Sequence, residues 1–339
     1  MSYSKGILYS ASDIKISQLK ELLSTNIILS DTDQKMYNKA SQRCQENNVF
    51  IFTGDDSDYH FKFPQIYSAP YIVYGQGNYD LLHKQCIAIV GPRKYSPYAH
   101  QVMESLFDEL KWYDVVTISW LADGVDKMCH ELSIQSGIPT IAILWGGLKY
   151  YLESKDRELI QKIIANWWLV LSEFKLNSRP ERYTFPQRNR IVAGLSDMVF
   201  LPEASEKSGS LITVDFARQM HKDVYGTPNT IFSPTSQWLH QYMQQWLVTP
   251  VVNWEWMLIK YFGKKVEDIE SLFNQPRDEN VLSTESSNIV KILQKNPAGL
   301  NLEELIRDTG LWIEEVMSEL TMAEVIWQIR NDGWIWKIK

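Results

Sequence analysis

Cysteine is scarce in this 339-residue chain. Cys44, Cys86 and Cys129 are odd in number and far apart, with no paired metal-ligand spacing, so neither a disulfide framework nor a zinc site is implied. Free thiols in a reducing, cytoplasmic setting are the expectation. Long apolar runs are missing too: none approaches the roughly 18 residues of a membrane span, and the first residues hold no signal-like apolar region. Positive charge is in deficit overall, 34 basic residues against 41 acidic ones, which argues against nucleic acid coating the whole surface. Neither GxGxxG nor GxxxxGK[ST] occurs, which excludes a dinucleotide fingerprint and a Walker A loop. No Ser–His–Asp arrangement and no spaced carboxylate pair can be argued, and no cofactor is implied. His130, four residues after Asp126, is the one histidine with a nearby acid, and a structural hydrogen bond joining turn to helix is its expected role.

What is present is a repeated rhythm. Cys86–Val90, Val115–Ser119, Thr140–Leu144, Trp168–Ser172, Met198–Leu201 and Val224–Tyr225 read as buried strands. Helices at Pro97–Lys111, Lys127–Ser136, Lys155–Asn166 and Leu211–His221 alternate with them. Such alternation with short connections predicts an α/β fold, a mostly parallel, doubly wound sheet of extended Rossmann type. Ligands of such sheets bind beyond the carboxyl ends of the strands. The Gly91-Pro92-Arg93-Lys94 turn, Ser119, Gly124, Glu173 and the Lys207–Ser210 turn should therefore share one edge. Ser96 and Pro97 make a helix start after the first of these turns, so Arg93 would clamp an anion at a helix N-terminus.

The segment Thr184–Thr213 concentrates the chemistry. Phe185, Arg188, Asn189 and Arg190 precede an apolar run, and Lys207, Ser208, Gly209 and Ser210 follow it. An aromatic ring, two guanidinium groups and a Gly/Ser turn suit a free nucleotide or a nucleic-acid strand. They would equally suit an ordinary strand with a charged loop in front of it. Charge is segregated here: Lys175 to Gly194 holds five basic residues and one acid.

Four segments are expected: an N-terminal α/β piece (1–82) docking on the core, the core (83–232), an aromatic-rich connector and linker (233–285), and a tail (286–339). Three helices and a hairpin in the tail read as a winged helix. Its reader helix, Ile313–Glu324, carries Glu314, Glu315, Glu319 and Glu324 and no basic residue, which points to protein docking rather than DNA.

The strings IAIVGPRK, SWLADGVDKMCH, LSEF, TFPQRNRIVAGLSD and EKSGSLIT, in this order, resemble the DprA/Smf family of DNA-processing proteins. The resemblance implies a non-catalytic, dimeric protein that binds incoming single-stranded DNA during natural transformation and loads the RecA recombinase. By position it makes Gly91, Arg93 and Lys94 a phosphate turn, Phe185 the base-stacking residue, and Arg188, Asn189 and Arg190 part of FPxRNR. Lys207, Ser208, Gly209 and Ser210 then match the KSGSL turn, and Lys175 falls near a groove lysine. Where the family has SGLARGID the chain has SWLADGVD, so Trp120 replaces glycine and Asp123 puts an acid where an arginine is expected. Residues 226–285 do not align.

Two functions follow from these residues. In one, Arg93, Lys175, Arg188, Arg190 and Lys207 neutralise about five phosphates of a single strand, for a salt slope of roughly −3 to −4. In the other, a nucleotide-processing phosphoribohydrolase on the same kind of core uses Glu203, although PEASEKSGSLIT stands in place of that enzyme's PGGxGTxxE. A divergent member that senses a ligand or partner is a third reading.

Overall fold

Runs of four or five residues such as CIAI, VTISW, TIAI, LVLS and MVFL are buried along their whole length, as strands covered on both faces must be. The computed structural model describes residues 31–46, 48–180, 185–204, 208–263 and 265. Beyond these it describes 288–296, 298–311, 316, 317, 320, 329–331 and 336–338. The chain forms two compact units, Met1–Ile269 and Glu270–Lys339.

The first unit is built on one nine-stranded sheet. Its strands are β1 (Phe50–Thr53), β2 (Ile72–Gln76), β3 (Cys86–Ile89), β4 (Val116–Trp120), β5 (Thr140–Ile143), β6 (Leu169–Ser172), β7 (Met198–Leu201), β8 (Asp223–Gly226) and β9 (Thr249–Pro250). They lie in the order β1-β2-β6-β5-β4-β3-β7-β8-β9. From β6 across to β9 every pairing is parallel; β2 joins β6, and β1 joins β2, antiparallel. The mostly parallel, doubly wound sheet expected from the alternation is present. Strands from residues 50–76 and 249–250 belong to this same sheet, so the sequence's segment limits near 82 and 233 do not interrupt it.

Helices cover both faces: α1 (Asp31–Glu46), α2 (Pro97–Leu110), α3 (Val125–Ser136), α4 (Leu148–Leu152), α5 (Arg157–Ala165), α6 (Phe185–Leu195), α7 (Ser210–Gln219), α8 (Gln237–Gln244) and α9 (Trp254–Phe262). The two-residue period of β3 sorts its side chains. Ile87 and Ile89 pack with Val102, Met103, Met128 and Met257 of α2, α3 and α9. Cys86 and Ala88 pack with Val192, Leu195 and Val214 of α6 and α7 on the other face. Helix starts follow their sequence signals. Ser96 Oγ accepts from Ala99 N–H, with Pro97 next, and Gly137 closes α3 in the left-handed conformation (φ 68°).

The second unit contains α10 (Asn288–Lys295) and α11 (Leu302–Thr309), the latter opened by an Asn301–Glu304 capping box. Strands β10 (Ile329–Asn331) and β11 (Trp336–Ile338) pair antiparallel, and Leu300 bridges to Trp336. Of the expected reader helix only Val316, Met317 and Leu320 are described, so the acidic face that motivated a docking role lies outside the described residues.

Among the described residues no helix is long and apolar enough to cross a membrane, and no group of three His, Cys, Asp or Glu residues suits a metal. Cys44, Cys86 and Cys129 are buried free thiols.

Candidate nucleic-acid interface

The strand order reverses direction at β3. From β3 the chain steps outward to β4, β5 and β6, and from β7, on its other side, it steps to β8 and β9. Connections leaving β3 and β7 therefore diverge, and the gap beyond their carboxyl ends is the switch point where such sheets take ligands. A cleft of about 510 Å³ occupies it. Gly91, Pro92, Arg93 and Lys94 form one wall, Asn189 with Ser208, Gly209 and Ser210 the other, and Trp120, Ala122 and Asp126 the base.

The first wall is shaped by close backbone approach. Gly124, at φ 99°, sits where a Cβ would meet the Pro92 carbonyl at 2.3 Å and Arg93 Cα at 2.6 Å. Val125 N–H donates to that same carbonyl at 3.2 Å, which fastens the turn to the start of α3. Gly124 is thus a spacer behind the turn. Arg93 and Lys94 are exposed, and the Arg93 guanidinium lies 5.5 Å from the centre of the half-buried Trp145 ring, a cation–π contact that orients it.

The second wall is pinned by Asn189, which is buried and donates from Nδ2 to the Gly209 carbonyl at 3.0 Å. The two halves of the segment singled out in the sequence, FPQRNR and KSGS, are joined by that bond. Ser208 and Ser210 exchange a 2.5 Å hydroxyl contact, and the N-terminus of α7 opens into the cleft, bringing the positive end of its dipole.

Other expected site residues are placed elsewhere. Ser119 is fully buried and donates to the Ile89 carbonyl at 2.5 Å, so it braces β4 against β3 and has no surface for a phosphate. Arg190, expected at the phosphates, is held by the scaffold instead. Arg190 is 6% exposed, and its guanidinium donates to both Glu173 oxygens at 3.0 and 2.7 Å and, through Nε, to the Ser68 carbonyl at 2.8 Å. A buried guanidinium needs a carboxylate, and Glu173 at the end of β6 supplies it. Neither residue of this pair is left for a ligand. Lys175 lies on the loop after β6, half-buried and outside the cleft lining. Phe185 and Arg188 belong to the first turns of α6, with their side chains outside the described parts, and Lys207 lies outside the described residues.

Asp123 does not add a net acid to the cleft. It is exposed and salt-bridged to Lys127 at 2.5 Å and Lys155 at 2.8 Å, and the two ammonium groups hold its carboxyl down at about 2. Lys127 also reaches Asp156 at 2.5 Å. Among the described lining residues one is an acid, Asp126, which the sequence did not assign to the cleft. Trp120, noted in the sequence only as a replacement, also lies there, 7% exposed at the end of β4. Its position as the last residue of β4, at the carboxyl edge of the sheet, was the signal for that role.

Two titratable residues weighed as chemical groups are structural. His130 is fully buried; its Nε2 donates to the Trp120 carbonyl at 3.1 Å, its Nδ1 accepts from Thr140 Oγ1 at 2.8 Å, and burial pushes it down to about 4. Glu203 is also fully buried. It accepts from Ser96 N–H at 2.8 Å, Ser96 Oγ at 2.7 Å and Thr235 Oγ1 at 3.0 Å, so it ties the start of α2 to the loop before α8.

Comparison with known proteins places this geometry. A model of the family described as DNA recombination-mediator protein A matches residues 50–260. The chain is 36% identical over 190 residues to the DNA processing protein DprA of Streptococcus pneumoniae, covering 56% of this chain and 67% of that protein. Over 242 residues it is 32% identical to DprA of Bacillus subtilis, covering 71% of this chain and 76% of that one. The X-ray structure of the Streptococcus pneumoniae protein superposes with a TM-score of 0.60 at 26% identity, over 77% of this chain and 94% of the other. DprA from Helicobacter pylori, whose structure was determined for its single-stranded DNA binding mode, superposes with a TM-score of 0.56 at 26% identity, over 63% and 97% of the two chains.

Proposed function

This chain belongs to the DNA recombination-mediator protein A (DprA/Smf) family of DNA-processing proteins, and we propose that it binds single-stranded DNA in the cleft between the Gly91–Lys94 and Ser208–Ser210 turns. The observation that carries the reading is the pairing of these two turns at the switch point, one bearing two exposed cations and the other the N-terminus of α7. Phosphates take guanidinium and backbone N–H groups together. With Arg190 committed to Glu173, the cations assigned to the strand are Arg93, Lys94, Lys175, Arg188 and Lys207, with Phe185 stacking a base. Four or five neutralised phosphates give a slope of log affinity against log salt of roughly −3 to −3.5.

Delivery of the coated strand to a RecA recombinase, by a homodimer inside the cell, is the role this membership suggests. It is tested by adding the protein to RecA and single-stranded DNA blocked by a strand-coating protein, and reading the rate of filament assembly. Acceleration that disappears in Arg93→Ala supports the role; no acceleration by the unaltered protein removes it while leaving strand binding to stand or fall alone.

The phosphoribohydrolase reading has little to use. Its candidate base, Glu203, faces three hydrogen-bond donors of the scaffold.

A further inference from the structure

The loop between β8 and α8 carries the most exposed adjacent apolar pair of the described residues, Ile231 at 77% and Phe232 at 84%. Exposed apolar residues on a slack loop need no explanation, but this loop is braced. Asn229 N–H donates to His240 Nε2 at 3.1 Å and its Nδ2 to Ser236 Oγ at 3.0 Å. Phe232 N–H donates to Thr230 Oγ1 at 3.1 Å, and the Pro228 carbonyl accepts from Tyr98 at 2.6 Å. Rigid presentation of an apolar pair to solvent is the mark of a binding surface.

Its position decides the partner. The loop follows the carboxyl end of β8, next to β7, so it stands on the same edge as the cleft. Trp167 and Trp246, comparably exposed, precede β6 and β9 and stand at the opposite edge. Glu203 joins loop and cleft directly: one of its oxygens holds Thr235, three residues after Phe232, and both hold Ser96, two residues after Lys94. Between them is Tyr95, 42% exposed, its ring 6.2 Å from that of His100 and inclined to it by 30°. Arg93 and Lys94 are followed by Tyr95, and the Glu203 link ties that stretch to the loop of Ile231 and Phe232, so cations lead on to two exposed rings at one edge. Single strands are bound by such an order, since phosphates follow the charge and successive bases stack on aromatic faces.

We propose that Tyr95 and Phe232 form a second stacking platform, which takes the bases of a single strand as it leaves the cleft. The proposal rests on the strand-binding reading above and extends its footprint beyond the cleft to the β8–α8 loop. A duplex, whose bases are stacked internally, offers this platform nothing.

A length series of oligothymidylates, measured by fluorescence anisotropy with the full chain, tests it. Phe232→Ala should weaken binding of long oligomers by roughly 5- to 150-fold, the range for loss of one stacked base, and leave the shortest bound oligomer unaffected. Tyr95→Ala should act in the same way, and Phe232→Tyr should retain affinity. Equal losses at all lengths, or no loss at any length while Arg93→Ala weakens binding at every length, would overturn the platform and leave the cleft assignment intact. Unchanged binding in both Phe232→Ala and Arg93→Ala removes the cleft assignment as well.

Discussion

Arg190 and Glu173 meet in a two-pronged ion pair at 3.0 and 2.7 Å, and this pair redirects an arginine that the FPQRNR string offers to a ligand. The pair fixes α6 to the end of β6 and, through Ser68, to the chain that precedes β2. Arg190→Ala should cost about 3 kcal/mol in denaturant unfolding, because a part-buried carboxylate is left unmatched. The double variant Arg190→Met/Glu173→Met should recover most of that loss and keep the salt slope of DNA binding. A shallower slope in the double variant would return Arg190 to the ligand.

Gly124 supports the cleft without touching a strand. Gly124→Ala combines a positive φ with a 2.3 Å approach to the Pro92 carbonyl, so the Gly91–Lys94 turn must move. A stability loss of about 1–3 kcal/mol and at least a tenfold loss of affinity are expected. Gly137→Ala is the control: it too has positive φ, at 68°, but nothing within 4 Å, so it should lose stability and keep affinity.

Asp123 holds Lys127 and Lys155 beside the cleft. Asp123→Asn should release Lys155 toward phosphates, while Asp156 keeps Lys127, tightening binding at low salt and steepening the slope by roughly 0.7. Its carboxyl, held at about 2, stays ionised as pH falls through the ordinary carboxylate range, so both salt bridges persist to below pH 3.9. Titrating the Lys155 contribution to DNA binding at neutral pH therefore requires the mutation, not acid.

His130 and His60 are both pushed down to about 4 by burial. A histidine whose folded value is depressed is stabilising above its unfolded value, near 6.5, and loses that contribution as pH falls toward 4. Unfolding free energy should thus decline between pH 6.5 and 4, by on the order of 3 kcal/mol for His130 alone. His130→Gln should start less stable and show a flatter decline over that window, read by chemical denaturation at each pH.

Much of the scaffold was legible because its signals are local. Buried apolar runs, Ser96-Pro97 and Gly137 speak for their own backbone, and two turns that follow strand ends must meet if the sheet is doubly wound. The pairing of Arg190 with Glu173 was not legible, since charge in a string says nothing about which carboxylate lies across the fold. Ser119 illustrates the same limit: a hydroxyl at a strand end reads as a ligand group until its neighbouring strand is known. Phe232 lay in a stretch that aligns with no family motif, and its exposure is a property of the loop's hydrogen bonds, not of its spacing. Asp123 read as an intruding acid because Lys155 is 32 residues away.

The central claim is that the two facing turns hold a single strand through its phosphates. Binding of a fluorescent oligothymidylate across a series of salt concentrations, for the unaltered chain and for Arg93→Ala, tests it most directly. The expected slope is roughly −3 to −3.5 for the unaltered chain and shallower by about 0.7 in the variant, with weaker binding at every salt concentration. An identical slope and affinity in the two proteins would contradict the claim.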